Sequence, residues 1–268
     1  MTDQKIVLIT GASSGIGRTT AELLTSRGYR VFGTARDPDT VAPVQGVELL
    51  PLDVRDDASV ASGVEAVLGQ TGRIDVLVNN AGYSVVGAIE ETSPSEAQAL
   101  FDTNVFGVLR MVRAVLPAMR RQGSGTIVNT SSVLGFLPAP FMGLYASSKH
   151  ALEGLSESLD HEVRGFGIRV VLVEPGFTKT QFGANAIHAL QTIATYAGTS
   201  RQVSDTIIAR TQDGSGPETV AAEILHAVER SHRMRRPVGF EARLVSRLRR
   251  FMPAGPVDRS VRKVFGLI

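Results

Sequence analysis

Short β-branched, apolar runs recur along the chain, and each is followed by a stretch with helical spacing. The runs fall at 6–9, 30–34, 47–52, 74–78, 126–129 and 168–173. Helix-length segments lie between them, at about 15–26, 56–70, 95–121 and 144–164. Most runs are continuously apolar, which suits strands covered on both faces. Strand and helix in alternation build βαβ units with right-handed crossovers. The pattern therefore predicts an α/β protein with a doubly wound parallel sheet in three layers, α/β/α.

Boundary residues refine this picture. Ser93-Pro94-Ser95-Glu96 reads as a helix start, with Ser93 as N-cap, Pro94 at the first position and Glu96 at the third. Pro175-Gly176 stops the strand that ends at Glu174. After Thr180 the pattern loosens. A helix is expected over 217–230, an extended piece near Pro237 and Val238, and a basic amphipathic helix over about 241–251. Ligands of open α/β sheets sit at the carboxyl ends of the strands. Residues 181–230 are accordingly expected to cover the substrate. The whole chain reads as one domain: a core over 1–180, that cover, and a basic extension over 231–268.

Composition narrows the function classes. The chain has 268 residues, 43% hydrophobic and 20% charged, enough for a large core. It has no Cys, which excludes disulfides, thiolate nucleophiles and Cys-ligated metals. No apolar run is long enough to span a bilayer, and the first ten residues lack a basic leader pattern. A cytoplasmic protein is expected.

The net charge of +2 hides an asymmetry. From Arg230 to Ile268 there are ten Arg and one Lys against Glu241 and Asp258, a net +9 that leaves −7 elsewhere. Such a block fits solvated helix faces, an oligomer contact or a peripheral membrane surface. No RNA-binding aromatic motif or zinc-finger spacing accompanies it, and no nucleic-acid partner is expected.

Thr10-Gly11-Ala12-Ser13-Ser14-Gly15-Ile16-Gly17 joins the first strand to the first helix. Glycines there let backbone approach a pyrophosphate, and the helix N-terminus offers free N–H groups. The spacing, Gly-x3-Gly-x-Gly, is not the common dinucleotide fingerprint, but the strand–turn–helix setting predicts the cofactor site of a Rossmann fold rather than a mere tight connection. At the end of the second strand an acid would bind a ribose 2′-hydroxyl, whereas Arg would accept a 2′-phosphate. Ala35 stands where the acid is expected, and Arg36 follows it. NADP is therefore expected, with Arg36 on the phosphate. The alternative is NAD, with Asp37 taking the hydroxyl.

Tyr145 and Lys149 are one helical turn apart, so phenol and ammonium are neighbours. A nearby cation lowers a Tyr pKa and equips the phenol to exchange a proton with an alkoxide. Ser132 ends the preceding strand and can bond the same oxygen. His161 and His188 lack partners at ligand spacing, and no metal is assigned.

The glycine turn, Asp53-Val54, Asn79-Asn80-Ala81-Gly82, Asn104, Ser132, Tyr145/Lys149 and Pro175-Gly176, in that order, resemble the short-chain dehydrogenase/reductase family. The stretch 131–164 looks most like the branch holding 17β-hydroxysteroid and retinol dehydrogenases and their bacterial relatives. The resemblance implies an NADP(H)-dependent oxidoreductase that passes hydride between nicotinamide and a carbonyl or secondary alcohol. It makes Tyr145 the acid/base, with Lys149 tuning it and binding ribose. Ser132 would orient the carbonyl, and Asn104 would hold a relay water. Asp53 and Val54 would flank adenine, and Asn79, Ala81 and Gly82 would line the cofactor cleft. Pro175, Gly176, Thr178 and Thr180 would hold the carboxamide. A dimer or tetramer is also implied.

The substrate pocket is expected to be apolar, with Phe136, Phe141, Met142 and Phe182 as its main contacts. Val85, Val86, Leu137, Pro138 and Leu144 are further candidates. A lipophilic ketone, steroid or retinoid would fit such a lining. Two other classes are a nonenzymatic NADP-binding regulator and a surface-binding protein acting through the Arg-rich end.

Overall fold

A computed structural model describes residues 4–180, 186–230, 233–249 and 251–268. Seven parallel strands form the central sheet: β1 (Ile6–Ile9), β2 (Arg30–Ala35), β3 (Val47–Pro51), β4 (Val76–Asn79), β6 (Gly125–Thr130), β7 (Ile168–Pro175) and β9 (Arg235–Val238). Their order is β3-β2-β1-β4-β6-β7-β9. A second, two-stranded sheet pairs β5 (Val85–Val86) with β8 (Ile187–His188).

Alternate side chains along each strand point to opposite faces. Leu8, Phe32, Leu77, Ile127 and Val170 meet α2 (Asp57–Thr71), α4 (Gly107–Gln122) and α5 (Gly143–Val163) on one face. Val7, Ile9, Val31, Val78, Val128 and Val171 meet α1 (Gly15–Ser26) and α7 (Pro217–Glu229) on the other. Both faces are buried, which is why the strands lack polar alternation. The strand order reverses between β1 and β4, and this opens a crevice at the strands' carboxyl ends.

The helix expected over 95–121 is divided. It runs as α3 (Pro94–Phe101), a π-helical turn (Asp102–Phe106) and α4. Ser93 caps α3 as the sequence suggests: its Oγ accepts from the Glu96 amide at 3.2 Å, and Glu96 accepts from the Ser93 amide at 2.8 Å.

The C-terminal third departs most from expectation. Helix α6 (Ala194–Gln212) lies over the strand ends and helps cover the crevice. The other helix of the expected cover, α7, belongs to the core instead. Its Val220, Ile224 and Leu225 are buried under the sheet beside α1. The extended piece near Pro237 is β9, which extends the sheet beyond β7. After it come α8 (Phe240–Leu248) and α9 (Ala254–Val264), which the sequence reading had as one helix and an unassigned tail. Among the described residues, no helix is long and apolar enough to cross a membrane.

Candidate active site

The glycine turn closes tightly on the β4 end. Gly11 and Gly15 have φ of +67° and +53°, which favours glycine at both positions. A Cβ on Gly17 would collide with the Gly11 carbonyl, so α1 can start only this close to β1 if residue 17 is glycine. Thr10 Oγ1 accepts from the amides of Asn80 and Ala81 at 3.0 and 3.1 Å. The Asn80 side chain donates back through Nδ2 to the carbonyls of Thr10 and Gly11 at 3.1 and 3.0 Å. Helix α1 has no acid in its first turn, and the N-cap Ser14 makes no side-chain cap bond. Its first amides thus remain available to an anion. A pyrophosphate fits this cradle.

At the β2 end, Ala35 is buried and Arg36 is exposed. The Asp37 carboxylate accepts from the Asp39 amide at 3.2 Å and caps the short turn Pro38–Thr40. Among the described residues Arg36 makes no ion pair, although its charge reaches Asp53. Asp53 is tied to Arg55 at 2.7 Å, and the Arg55 hydrogen bond holds its carboxyl below the usual range. Val54 is buried against Gly107.

Tyr145 and Lys149 lie one turn apart on α5, both about nine-tenths buried or more. Lys149 Nζ is 5.7 Å from the Tyr145 ring centre and donates to the Thr130 carbonyl at 2.8 Å. Ser132 accepts from the Leu134 amide at 3.1 Å and hydrogen-bonds the Tyr145 phenol. Burial pushes Tyr145 up to about 12, with the Ser132 bond opposing. Burial pushes Lys149 down to about 8, with the Glu153 charge opposing.

Asn104 sits on the π turn, a local widening that often marks functional positions. Its side chain brackets Tyr83, accepting from the Tyr83 amide at 3.1 Å and donating to the Tyr83 carbonyl at 2.9 Å. It also donates to Ser148 Oγ at 3.1 Å. A Cβ on Gly82 would lie 3.0 Å from Asn104 Oδ1 and 4.0 Å from Lys149 Nζ, so all three residues converge on one point.

A cavity of about 360 Å³ opens from these groups. Ile16, Asn80, Gly82, Pro175, Gly176, Thr178 and Thr180 line its cofactor side. Ser132, Tyr145 and Lys149 stand at its polar end.

Residues 5–191 match the family model described as short chain dehydrogenase. The chain belongs to the short-chain dehydrogenase family. It is 38% identical over 235 residues to 3-ketodihydrosphingosine reductase of Bacteroides thetaiotaomicron, covering 85% of each chain. It is 42% identical over 191 residues to human 17-beta-hydroxysteroid dehydrogenase type 1, covering 66% of this chain and 58% of that one. A short chain dehydrogenase/reductase from Burkholderia phymatum, solved with NAD, superposes with a TM-score of 0.76 at 31% identity, over 87% of this chain and 89% of that one. The protein is thus an oxidoreductase of this family, built on its nucleotide-binding fold.

Several expected positions lie elsewhere in this short-chain dehydrogenase. Asn79 is buried, not in the cleft. It donates to Asn129 Oδ1 at 2.8 Å, and Asn129 donates to Ser156 Oγ at 2.8 Å, so this chain ties two strands to α5. Its neighbour Asn80 is on the wall instead. Met142, Leu137 and Pro138 line the cavity, but Phe136, Phe141, Val85, Val86 and Leu144 do not. Phe141 packs edge-on to Tyr196, with ring centres 6.2 Å apart. Phe182 lies outside the described residues. The sequence reading missed Ile207 of α6, Leu244 and Val245 of α8, and Val261, Val264 and Phe265 of α9 and its end, all on the wall. The signal was present: Val257, Val261, Val264 and Phe265 recur at helical spacing within the Arg-rich tail.

Proposed function

We propose that the protein is an NADP(H)-dependent reductase of a lipophilic ketone, reversible to alcohol oxidation, with Tyr145 as acid/base. The observation that carries this reading is the Ser132–Tyr145–Lys149 cluster at the polar end of an otherwise apolar cavity, beside the glycine cradle. A bound NADPH supplies the hydride for the carbonyl carbon.

The chain's own residues do the rest. Ser132 and Tyr145 hold the carbonyl oxygen with two hydrogen bonds. As the C=O π pair moves onto oxygen, Tyr145 releases its proton there, and burial keeps that proton in place beforehand. Lys149 stabilises the phenolate left behind. Asn104, 3.0 Å from where a Gly82 Cβ would stand, is placed to hold the water that returns a proton through Lys149.

NADP preference is supported by Asp37 being occupied as a turn cap while Arg36 has no carboxylate within ion-pair distance among the described residues. The lipophilic substrate is supported by Leu137, Met142, Ile207, Val245 and Phe265 on the wall, and by the sphingoid and steroid substrates named for two relatives. Exposed Phe106, Leu109 and Phe166 support a homo-oligomer.

The test is NADPH oxidation across ketones of graded size. Turnover should rise with apolar bulk, and Tyr145→Phe should lower it by at least about a hundredfold while cofactor binding persists. Wild-type rates in that variant, or no turnover across the panel, would overturn the assignment.

A further inference from the structure

The Arg-rich end forms two amphipathic helices that close the cavity, and each keeps a second face turned to solvent. On α8, Phe240, Leu244 and Leu248 recur every four residues. The chain turns once more past the helix, where the amides of Phe251 and Met252 both bond the Leu248 carbonyl at 2.9 and 2.8 Å. Phe251 follows the helix in this turn. All four are exposed, Phe240 by 80% and Phe251 by 82%. Ala242 and Val245 face the cavity, and Leu244, at the edge of the stripe, reaches its wall as well.

The same segment carries cations. Arg247, Arg249, Arg259, Arg262 and Lys263 have no carboxylate within ion-pair distance among the described residues. By contrast Arg235 and Arg236, on β9, are each bound to glutamates at 2.6–2.8 Å. The block therefore divides: Arg235 and Arg236 hold the fold, and Arg247, Arg249, Arg259, Arg262 and Lys263 are left to solvent. Leu244 of α8 and Val264 of α9 are both part-exposed and on the cavity wall, so the two helices form its rim.

We propose that α8 and α9 dock the protein on an anionic bilayer surface, with Phe240, Leu248 and Phe251 entering the interface and the cavity rim against the lipid. A set of exposed aromatic and leucine side chains in a segment that also carries solvent-exposed cations is the pattern that binds such a surface. The rim position gives docking a purpose, because a water-insoluble ketone can pass from bilayer to cavity without crossing solvent. That second step rests on the proposed substrate class; the docking does not.

The experiment is co-sedimentation of the full chain with vesicles of phosphatidylcholine alone, and with an equimolar mixture of phosphatidylcholine and phosphatidylglycerol. Binding to the mixed vesicles should be at least about tenfold tighter and should weaken as salt is raised. The double variant Phe240→Ser/Phe251→Ser and the double variant Arg247→Glu/Arg262→Glu should each lose it. Both should keep wild-type turnover of a water-soluble ketone, which reports separately on the catalytic reading. Equal or absent binding to the two vesicle types overturns the proposal. So does a smaller assembly for the Phe double variant by light scattering, because the stripe would then lie between copies of the chain.

Discussion

Glu153 and Glu174 share a hydrogen bond in the protein interior, behind the catalytic face of α5. They are 4% and 1% exposed, too buried for two full charges. Burial, then the Glu153 charge, pushes Glu174 up to about 8, so Glu174 carries the proton and donates to Glu153. Ser131 also donates to Glu153, and Arg235 reaches Glu153 and Glu174 at 2.6 and 2.7 Å. A strand of the C-terminal extension thus clamps a carboxylate pair one helical turn from Lys149.

Stability should depend on pH through Glu174. An unfolded glutamate titrates near about 4.3, so the fold favours its protonated form. That contribution is complete below about pH 4 and is lost as pH rises through about 8. The thermal midpoint should fall between about pH 4.5 and about pH 8, and Glu174→Gln should flatten the decline. Differential scanning calorimetry across that range checks it; an unchanged slope in the variant would count against the shared proton.

Glu153→Gln should act on the rate. Glu153 is the charge that opposes the burial of Lys149. Glutamine keeps the Ser131 contact but removes the charge, so Lys149 loses its proton at lower pH. Ketone reduction needs Lys149 charged and Tyr145 protonated. Its rate should fall above about pH 8 in the wild type and earlier in the variant, while the acid limb stays in place. Full pH profiles of kcat separate this from a general loss of folding.

Arg36→Ala should separate the two cofactors. Removing a charge-assisted phosphate contact should lower kcat/KM for NADPH by about tenfold or more. The value for NADH, which has no 2′-phosphate, should barely change. Paired steady-state kinetics settle it, and an equal loss for both cofactors would remove Arg36 from the phosphate site.

Val245→Trp should discriminate by substrate size. Val245 lines a cavity of about 360 Å³ from the α8 side. The larger ring should raise KM for bulky ketones by about tenfold and leave small ones unaffected. Equal effects on both would place the substrate elsewhere.

Six strands of the main sheet were legible because most are near-continuous apolar runs in a sheet covered on both faces, whereas β9, Arg-Arg-Pro-Val, read only as an extended piece, and the strand order came from the fold. The Ser93 cap and the start of α1 were legible because capping and tight glycine turns are local chemistry. The π turn at Asn104 was not, because its register depends on Tyr83 and Ser148, distant in sequence. Asn79 and Asn80 show the same limit. Adjacent residues on a strand end point to opposite sides, and only the pairing with Asn129 shows which one faces the cleft.

The sequence by itself determined six strands of the sheet, the glycine turn and the adjacency of Tyr145 and Lys149, since each rests on periodicity or spacing within one or two turns of chain. Tertiary structure decided what the basic tail does. Arg235, Val245, Val261 and Arg247 look alike as members of one charged, amphipathic segment. Docking of β9 against β7 buries the Arg235 contacts, and folding of α8 and α9 over the strand ends turns the valines onto the cavity wall. Arg247 stays in solvent, with no acid among the described residues within ion-pair reach of it. The physical reason is that long-range packing, not local pattern, sets which face of an amphipathic helix is covered.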